Sequence, residues 1–310
     1  METIALCIPA YNADWCLSRL LESAHKQAVP FDEILVYNDC STDHTGQIAI
    51  DNGAMVINGS ENKGCSFGKN ELAKYATSDW LHFHDADDEL LPNFTTLAHK
   101  WIQERKADVV LFSYEYRDNT TKELYNIRSF NSQMLSEDPL KYAISEQINP
   151  FCGLYNKKKF LQAGGYDCDP NVLYNEDCAM HINLALKHLT FASEDEVAII
   201  NYYVKDSMSQ NNFVKCAKAR YYVLEKVVKT HASIYPKELS KQLWDCALFL
   251  SVGQDWKYVR KTLQLIKLTK VNHSKSHSIL FDSLSIINPF FALWIREKLI
   301  RLFKPSLRRL

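Results

Sequence analysis

Trp80-Leu81-His82-Phe83-His84-Asp85-Ala86-Asp87-Asp88 is an apolar run that passes directly into three carboxylates within four residues. Read as a short buried strand ending in an acidic loop, it predicts the kind of sheet, because ligands of open α/β sheets collect beyond the carboxyl ends of the strands. The pattern repeats on its N-terminal side. Thr3–Pro9 and Glu33–Tyr37 are apolar strands, each followed by a polar loop and a helix (Trp15–Gln27, Thr45–Asn52), and Ala54–Asn58 leads to a helix over Ser66–Ala76. Strand and helix in alternation predict a Rossmann-like, mostly parallel sheet flanked by helices. Val109–Tyr116 and Val197–Val204 are further strands, separated by an irregular section to about Asn149 and a polar region that ends in a helix from Glu176 to Leu189. From about Asn211 the periodicity is helical, with main segments Ala217–His231, Lys237–Val252 and Trp256–Thr269.

A chain of 310 residues, 46% hydrophobic and 24% charged, can bury a large core. Residues 1–205 carry 17 Lys and Arg against 30 Asp and Glu, whereas 206–310 carry 19 against 7. This reversal of sign predicts two parts, an acidic α/β domain over 1–205 and a basic helical extension over 206–310. Nine cysteines without a CxxC pair, and an N-terminus without a secretory signal, predict reduced thiols and a cytoplasmic location. No apolar stretch reaches the roughly 20 residues that span a bilayer.

Crowded carboxylates repel one another unless a cation joins them, and oxygen donors suit Mg²⁺ or Mn²⁺. Asp85 and Asp87 are therefore candidate metal ligands, with a helix-capping acidic loop as the plain alternative. His82 and His84 permit a rival reading as ligands in a metal-dependent hydrolase, although Ala86 stands where an HxHxDH motif places Asp. Pro9-Ala10-Tyr11-Asn12 and Asn38-Asp39-Cys40-Ser41 also follow strands, and an aromatic ring with a carboxylate suits a nucleobase. Asn62-Lys63-Gly64 and Gly68-Lys69-Asn70 surround a helix N-terminus, where Lys69 would favour a phosphate. Asn175-Glu176-Asp177 opens a helix, as a simple cap or as a general base with its neighbour.

In this order, the segments resemble glycosyltransferase family 2, inverting enzymes of the GT-A fold. Ile8–Asn12 looks like the family's opening strand and loop, Asn38–Asp43 is similar to its DDGSTD segment, and Asn62–Asn70 to NxGxxxARN. His84–Asp88 resembles its DxDD segment, Gly164-Gly165-Tyr166-Asp167 its GGFD element, and Glu176-Asp177 its ED element, over residues 3–205 in all. The resemblance implies that Asp39, with Pro9 and Tyr11, binds the base of a UDP-sugar, joined by Asn12, Asn62, Gly64, Lys69 and Ala86. Asp85 would hold the ribose or sugar, and Asp87 a Mn²⁺ or Mg²⁺ ion on the diphosphate. Asp177 would be the catalytic base, with Glu176 positioning a glycan or lipid-linked glycan acceptor. The implied activity is hexosyl or N-acetylhexosaminyl transfer in lipopolysaccharide or capsule synthesis. An inactive nucleotide-sugar-binding module is the alternative of a different class.

Cys40 and Asn38 depart from the family's Gly and Asp, and Lys69 replaces an Arg fork with a point charge. QxxRW is absent, which favours one sugar per encounter, and Lys205–Ser209 lacks the His sometimes found after the last strand. Residues 290–310 interleave Phe290, Phe291, Leu293, Trp294, Leu299, Ile300, Leu302 and Phe303 with Arg296, Lys298, Arg301, Lys304, Arg308 and Arg309. Such a helix can lie in the headgroups of an anionic membrane, or pack its apolar face on the protein. A peripheral position on the inner face of the cytoplasmic membrane is the expectation, with no nucleic-acid partner.

Overall fold

The computed structural model describes residues 2–204, 212–271 and 279–308. Its contacts divide the chain into two units: Met1–Ala143 with Gln147–Cys168 and Asp177–Lys205, and Ile144–Glu146 with Asp169–Glu176 and Asp206–Leu310.

The first unit is built on nine strands: β1 (Ile4–Ala10), β2 (Glu33–Asn38), β3 (Met55–Asn58), β4 (Trp80–Phe83), β5 (Glu89–Leu90), β6 (Val109–Asp118), β7 (Leu124–Arg128), β8 (Gly153–Asn156) and β9 (Phe191–Tyr203). They form one sheet in the order β3-β2-β1-β4-β8-β6-β9-β5, with β7 paired to β6. The half from β3 to β4 is parallel, as the alternation of strands and helices requires. The other half is mixed, because β8 runs antiparallel to both β4 and β6. Gly-Leu-Tyr-Asn is too short to register as a strand by periodicity, which is why the sequence reading passes over it. β9 begins six residues before the expected Val197. Its pairing with β6 jumps from Phe112↔Glu194 to Ser113↔Val197, so Asp195 and Glu196 leave the ladder and disguise the strand as a loop.

Ile4 to Ile8 are wholly buried, as are Leu81 to Phe83 and Val109 to Phe112, the signature of strands covered on both faces. The helix Leu17–His25 seals one face with Leu17, Leu20, Leu21 and Ala24. On the sheet, Phe83 packs against Tyr155, Phe160 and Tyr166 at centroid distances of 5.2–5.7 Å. These contacts fix the strand that carries the acidic loop.

The second unit contains the helices Phe213–His231, Pro236–Val252, Trp256–Leu268 and Pro289–Phe303. The last is capped by Asn288, whose side chain accepts the Phe291 amide at 3.0 Å. It buries Ala292, Leu293 and Glu297. Phe291, Trp294, Leu299, Leu302 and Phe303 stay exposed. Arg296, Arg301 and Arg308 converge on buried Glu297 at 3.0, 3.8 and 2.6 Å. A buried carboxylate must be paired, and the three guanidiniums pair this one. Lys205–Ser209 and Arg309 fall outside the described residues.

Gly68 lies inside the helix Cys65–Tyr75, where Gly is ordinarily about 1 kcal/mol worse than Ala. A Cβ there would stand 2.8 Å from the Tyr37 ring. The clash reverses the usual sign, so Gly68→Ala is expected to destabilise by about 1–3 kcal/mol in chemical denaturation.

Candidate active site

Because β1, β2 and β4 are parallel neighbours, their carboxyl ends open on one edge of the sheet, and the loops that follow them meet there. The first two loops are stitched together. The Asn12 amide donates to Ser41 Oγ at 3.0 Å, Asn12 Oδ1 accepts the Thr42 amide at 2.9 Å, and the Ala13 amide donates to Thr45 Oγ1 at 2.7 Å. Asn12 thus acts as a loop clamp, with φ of 48°, and Cys40 also takes a left-handed φ of 61°. That conformation explains a glycine in the family's pattern, and a side chain here carries strain. Pro9 is half-buried, while the Tyr11 ring is 51% exposed.

Asp39 is buried, and its two carboxylate oxygens accept the amides of Lys63 and Gly64 at 2.9 and 2.7 Å. This joins the loop after β2 to the turn that opens the helix Cys65–Tyr75, where Gly64 has a φ of 85° and Asn62 is exposed. Each oxygen retains a lone pair, so the clamp does not exhaust Asp39 as an acceptor.

Lys69 is the buried hub. Its side chain is 2% exposed and its ammonium stands 3.1 Å from Asp85 Oδ1. Burial works to discharge it, but Asp85, with Asp177 further off, outweighs that and holds it charged well above the usual lysine range. Asp87 lies beside this pair, with Ala86 half-buried between them. Burial and the adjacent Asp85 charge push its carboxyl up to about 6. Asp177, in the first turn of the helix Glu176–Leu186, is pushed up to about 6 by burial, with Asp85 adding to the shift and Lys69 opposing it. Three acids from two distant segments therefore share the field of one lysine. Glu176 begins the same helix, is buried, and belongs to the second unit.

Asp88 serves a different purpose. Its carboxylate accepts the Tyr202 amide at 2.8 Å and the Asn201 side-chain amide at 2.9 and 3.0 Å, pinning the acidic loop to β9. Arg19 pins the other side, donating to the Asp87 carbonyl and, at 2.8 Å, to Asn119 Oδ1. Asn70 closes the frame by exchanging hydrogen bonds of 2.8 and 2.9 Å with the Tyr166 backbone. Gly165 passes so near that a Cβ would lie 2.4 Å from Asn70 Oδ1. Sequence reasoning missed Arg19, Asn70 as a clamp, and Asn201, since an isolated side chain bonded to a remote backbone leaves no local pattern.

The hydrolase reading does not survive. His82 Nδ1 donates to the Gly153 carbonyl and its Nε2 lies 2.9 Å from His84 Nδ1, in two wholly buried rings that burial keeps neutral. His82 has both ring nitrogens engaged, and His84 Nε2 is left buried and unpartnered, a single nitrogen where a metal-dependent hydrolase needs a set of ligands. Among the described residues, no three His, Cys, Asp or Glu side chains converge to hold an ion. Asp85 and Asp87 fit a Mg²⁺ or Mn²⁺ ion that draws the rest of its shell from ligand oxygens and water, as such ions commonly do.

Asp87 and Asp88 should respond oppositely to removal. Asp88→Ala leaves buried donors of Asn201 and Tyr202 unpaired and is expected to cost about 2–3 kcal/mol in urea unfolding. Asp87 is less favourably ionised in the fold than in the unfolded chain at neutral pH, so Asp87→Asn should raise the metal-free melting temperature.

Residues 5–167 match the Glycosyl transferase family 2 profile, just over half of the chain. The putative teichuronic acid biosynthesis glycosyltransferase TuaG of Bacillus subtilis is 23% identical over 233 residues, 74% of this chain and 89% of that protein. Among solved structures, S. aureus TarS 1–349 in complex with UDP-GlcNAc superposes with a TM-score of 0.65 at 16% identity, covering 97% of this chain and 92% of TarS. The mannosyltransferase PcManGT from Pyrobaculum calidifontis, in complex with GDP-Man and Mn²⁺, does so with 0.58 at 16% identity, covering 97% and 87%. With the profile spanning β1 through the Gly164–Asp167 segment, and its acids arranged on the sheet edge, the chain belongs to glycosyl transferase family 2, a glycosyltransferase of the GT-A fold.

Proposed function

We propose that the chain transfers one sugar at a time from a UDP-sugar to a hydroxyl of a bacterial surface glycan, with inversion at the anomeric carbon. The observation that carries this reading is Lys69, which shares its field with Asp85, Asp87 and Asp177. The arrangement separates labour. Asp39, Pro9 and Tyr11 receive the base, Asp85 the ribose or sugar, and Asp87 with Asp85 the metal. A divalent cation so bound neutralises the departing diphosphate. Asp177, raised by burial into the range where a carboxylate is a competent base near neutrality, takes the proton of the attacking hydroxyl. Glu176, one residue away, orients the acceptor. TarS bound to UDP-GlcNAc supports the uridine donor, and the assignment of TuaG as a putative teichuronic acid biosynthesis glycosyltransferase supports a surface polymer.

Asp177→Asn keeps the shape of the side chain and removes the base. Transfer in the presence of Mn²⁺ should fall about a hundredfold or more, with donor binding by thermal shift unchanged. In the parent enzyme the base works ionised, so kcat/KM should be level above about pH 6 and fall about tenfold per unit below it. An unchanged rate in Asp177→Asn would remove this residue from the chemistry.

The second unit supports a membrane-surface location at the cytoplasmic face. No helix among the described residues is long and apolar enough to cross a membrane. The outward side of Pro289–Phe303 nevertheless presents Phe291, Trp294 and Leu302 around Lys298, next to exposed Ile286 and Ile287. Apolar groups that enter the acyl boundary beside cations that meet phosphate would hold the enzyme near a lipid-linked acceptor. Co-sedimentation with vesicles containing anionic phosphatidylglycerol at low salt should be strong for the parent and largely lost in Trp294→Glu/Leu302→Glu. Equal retention of both would rule out this face.

A further inference from the structure

Beside the acidic loop, one face of the sheet is paved with tyrosine. Tyr116 of β6, Tyr125 of β7 and Tyr203 of β9 form a triangle with centroid separations of 5.7, 6.3 and 6.1 Å. Tyr116 pairs in register with Asn201, and side chains two residues apart in a strand share a face, so Tyr116, Asn201 and Tyr203 project together. Asn201 is the residue that holds Asp88. The β6–β7 pairing shifts register at Tyr116/Arg117, which turns Tyr125 out of the regular ladder. Its ring is 49% exposed, and its hydroxyl donates to Asp118 at 2.7 Å, fixing the ring's edge.

This paving is continuous with the catalytic machinery on both sides. The turn after β6 is tied to the Asp87 carbonyl through Asn119 and Arg19. In the other direction, Tyr114 shares the face of Tyr116 and packs on Phe151 at 4.9 Å, next to Cys152, whose environment includes the charge of Asp177. A surface that leads from the base past the acidic loop lies where the attacking molecule must rest.

Resting on the glycosyltransferase reading, we propose that Tyr116, Tyr125 and Tyr203 form the acceptor subsite and hold a pyranose ring of the glycan that receives the sugar. The chemistry fits a carbohydrate better than a protein or lipid. The C–H face of a pyranose meets the electron-rich face of an aromatic ring, while phenol and carboxylate edges bond its hydroxyls. Aliphatic chains have no use for Asp118 or for three hydroxyls.

The probes are methyl pyranosides of glucose, N-acetylglucosamine, galactose, mannose and rhamnose, titrated into full-length protein carrying 3-fluorotyrosine, with UDP and Mn²⁺ present. At least one should move fluorine resonances saturably, with its apparent Kd weakened about tenfold or more in Tyr125→Ala and in Tyr116→Leu, and by less in Tyr125→Phe, which keeps the stacking ring and loses one hydroxyl. Tyr116→Leu retains bulk, so the test survives if Tyr125→Ala disturbs the hairpin. No saturable shift with any glycoside, or equal titrations of parent and ring-deleted variants, overturns the subsite. A rise in melting temperature on adding UDP is recorded in the same samples. Its absence counts against the nucleotide-sugar reading, and the glycoside titrations judge the tyrosines separately.

Discussion

A lysine ammonium buried at the edge of a sheet must be matched by negative charge, and the fold around Lys69 is arranged to match it. The carboxylate of Asp85 lies in contact, and those of Asp87 and Asp177 lie within its field. An ion pair of this kind contributes little net stability, because desolvating both groups costs about what their attraction returns. It does fix positions. With Lys69 in place, the acidic loop after β4 cannot leave the helix Cys65–Tyr75 without stranding a buried charge. The positive charge also tempers the mutual repulsion of three acids, so the site can wait for its substrate without a collapsed or expelled loop.

The remainder of the frame can be read as support for that hub. Asp88, Arg19 and Asn70 each bond a backbone group far away in sequence, and each bond removes one freedom from the loops beside Asp85 or Tyr166. Asp39 and Asn12 do the same between the loops after β1 and β2. Several polar side chains that look like ligand contacts in the primary structure therefore spend hydrogen bonds on preorganisation. Catalysis by positioned charge benefits from this, since a rigid site pays its ordering cost during folding and not at each encounter.

The parallel half of the sheet was legible because β1, β2 and β4 are buried on both faces and read as continuous apolar runs bounded by polar loops. The candidate acids were legible because the chain places them at strand ends in a recognisable order. What escaped was either short or non-local. β8 has four residues, and its antiparallel entry between β4 and β6 depends on tertiary contacts that no periodicity encodes. The early part of β9 carries Glu194, Asp195 and Glu196, whose polarity reflects a bulge. Glu297 goes unremarked in the sequence, because only the folded chain gathers three arginines around it.

Tyr37 and Gly68 leave no room for one another to change alone. The ring fills the space that a methyl group at 68 would occupy, and the hydroxyl of the same side chain lies 2.7 Å from the place of a Cβ on Gly59. A lineage that carries Tyr at 37 is thereby held to glycine at both neighbours, and a smaller residue must arrive at 37 before alanine can be admitted at 59 or 68. The order in which substitutions can accumulate along this edge of the sheet is set by a single aromatic side chain.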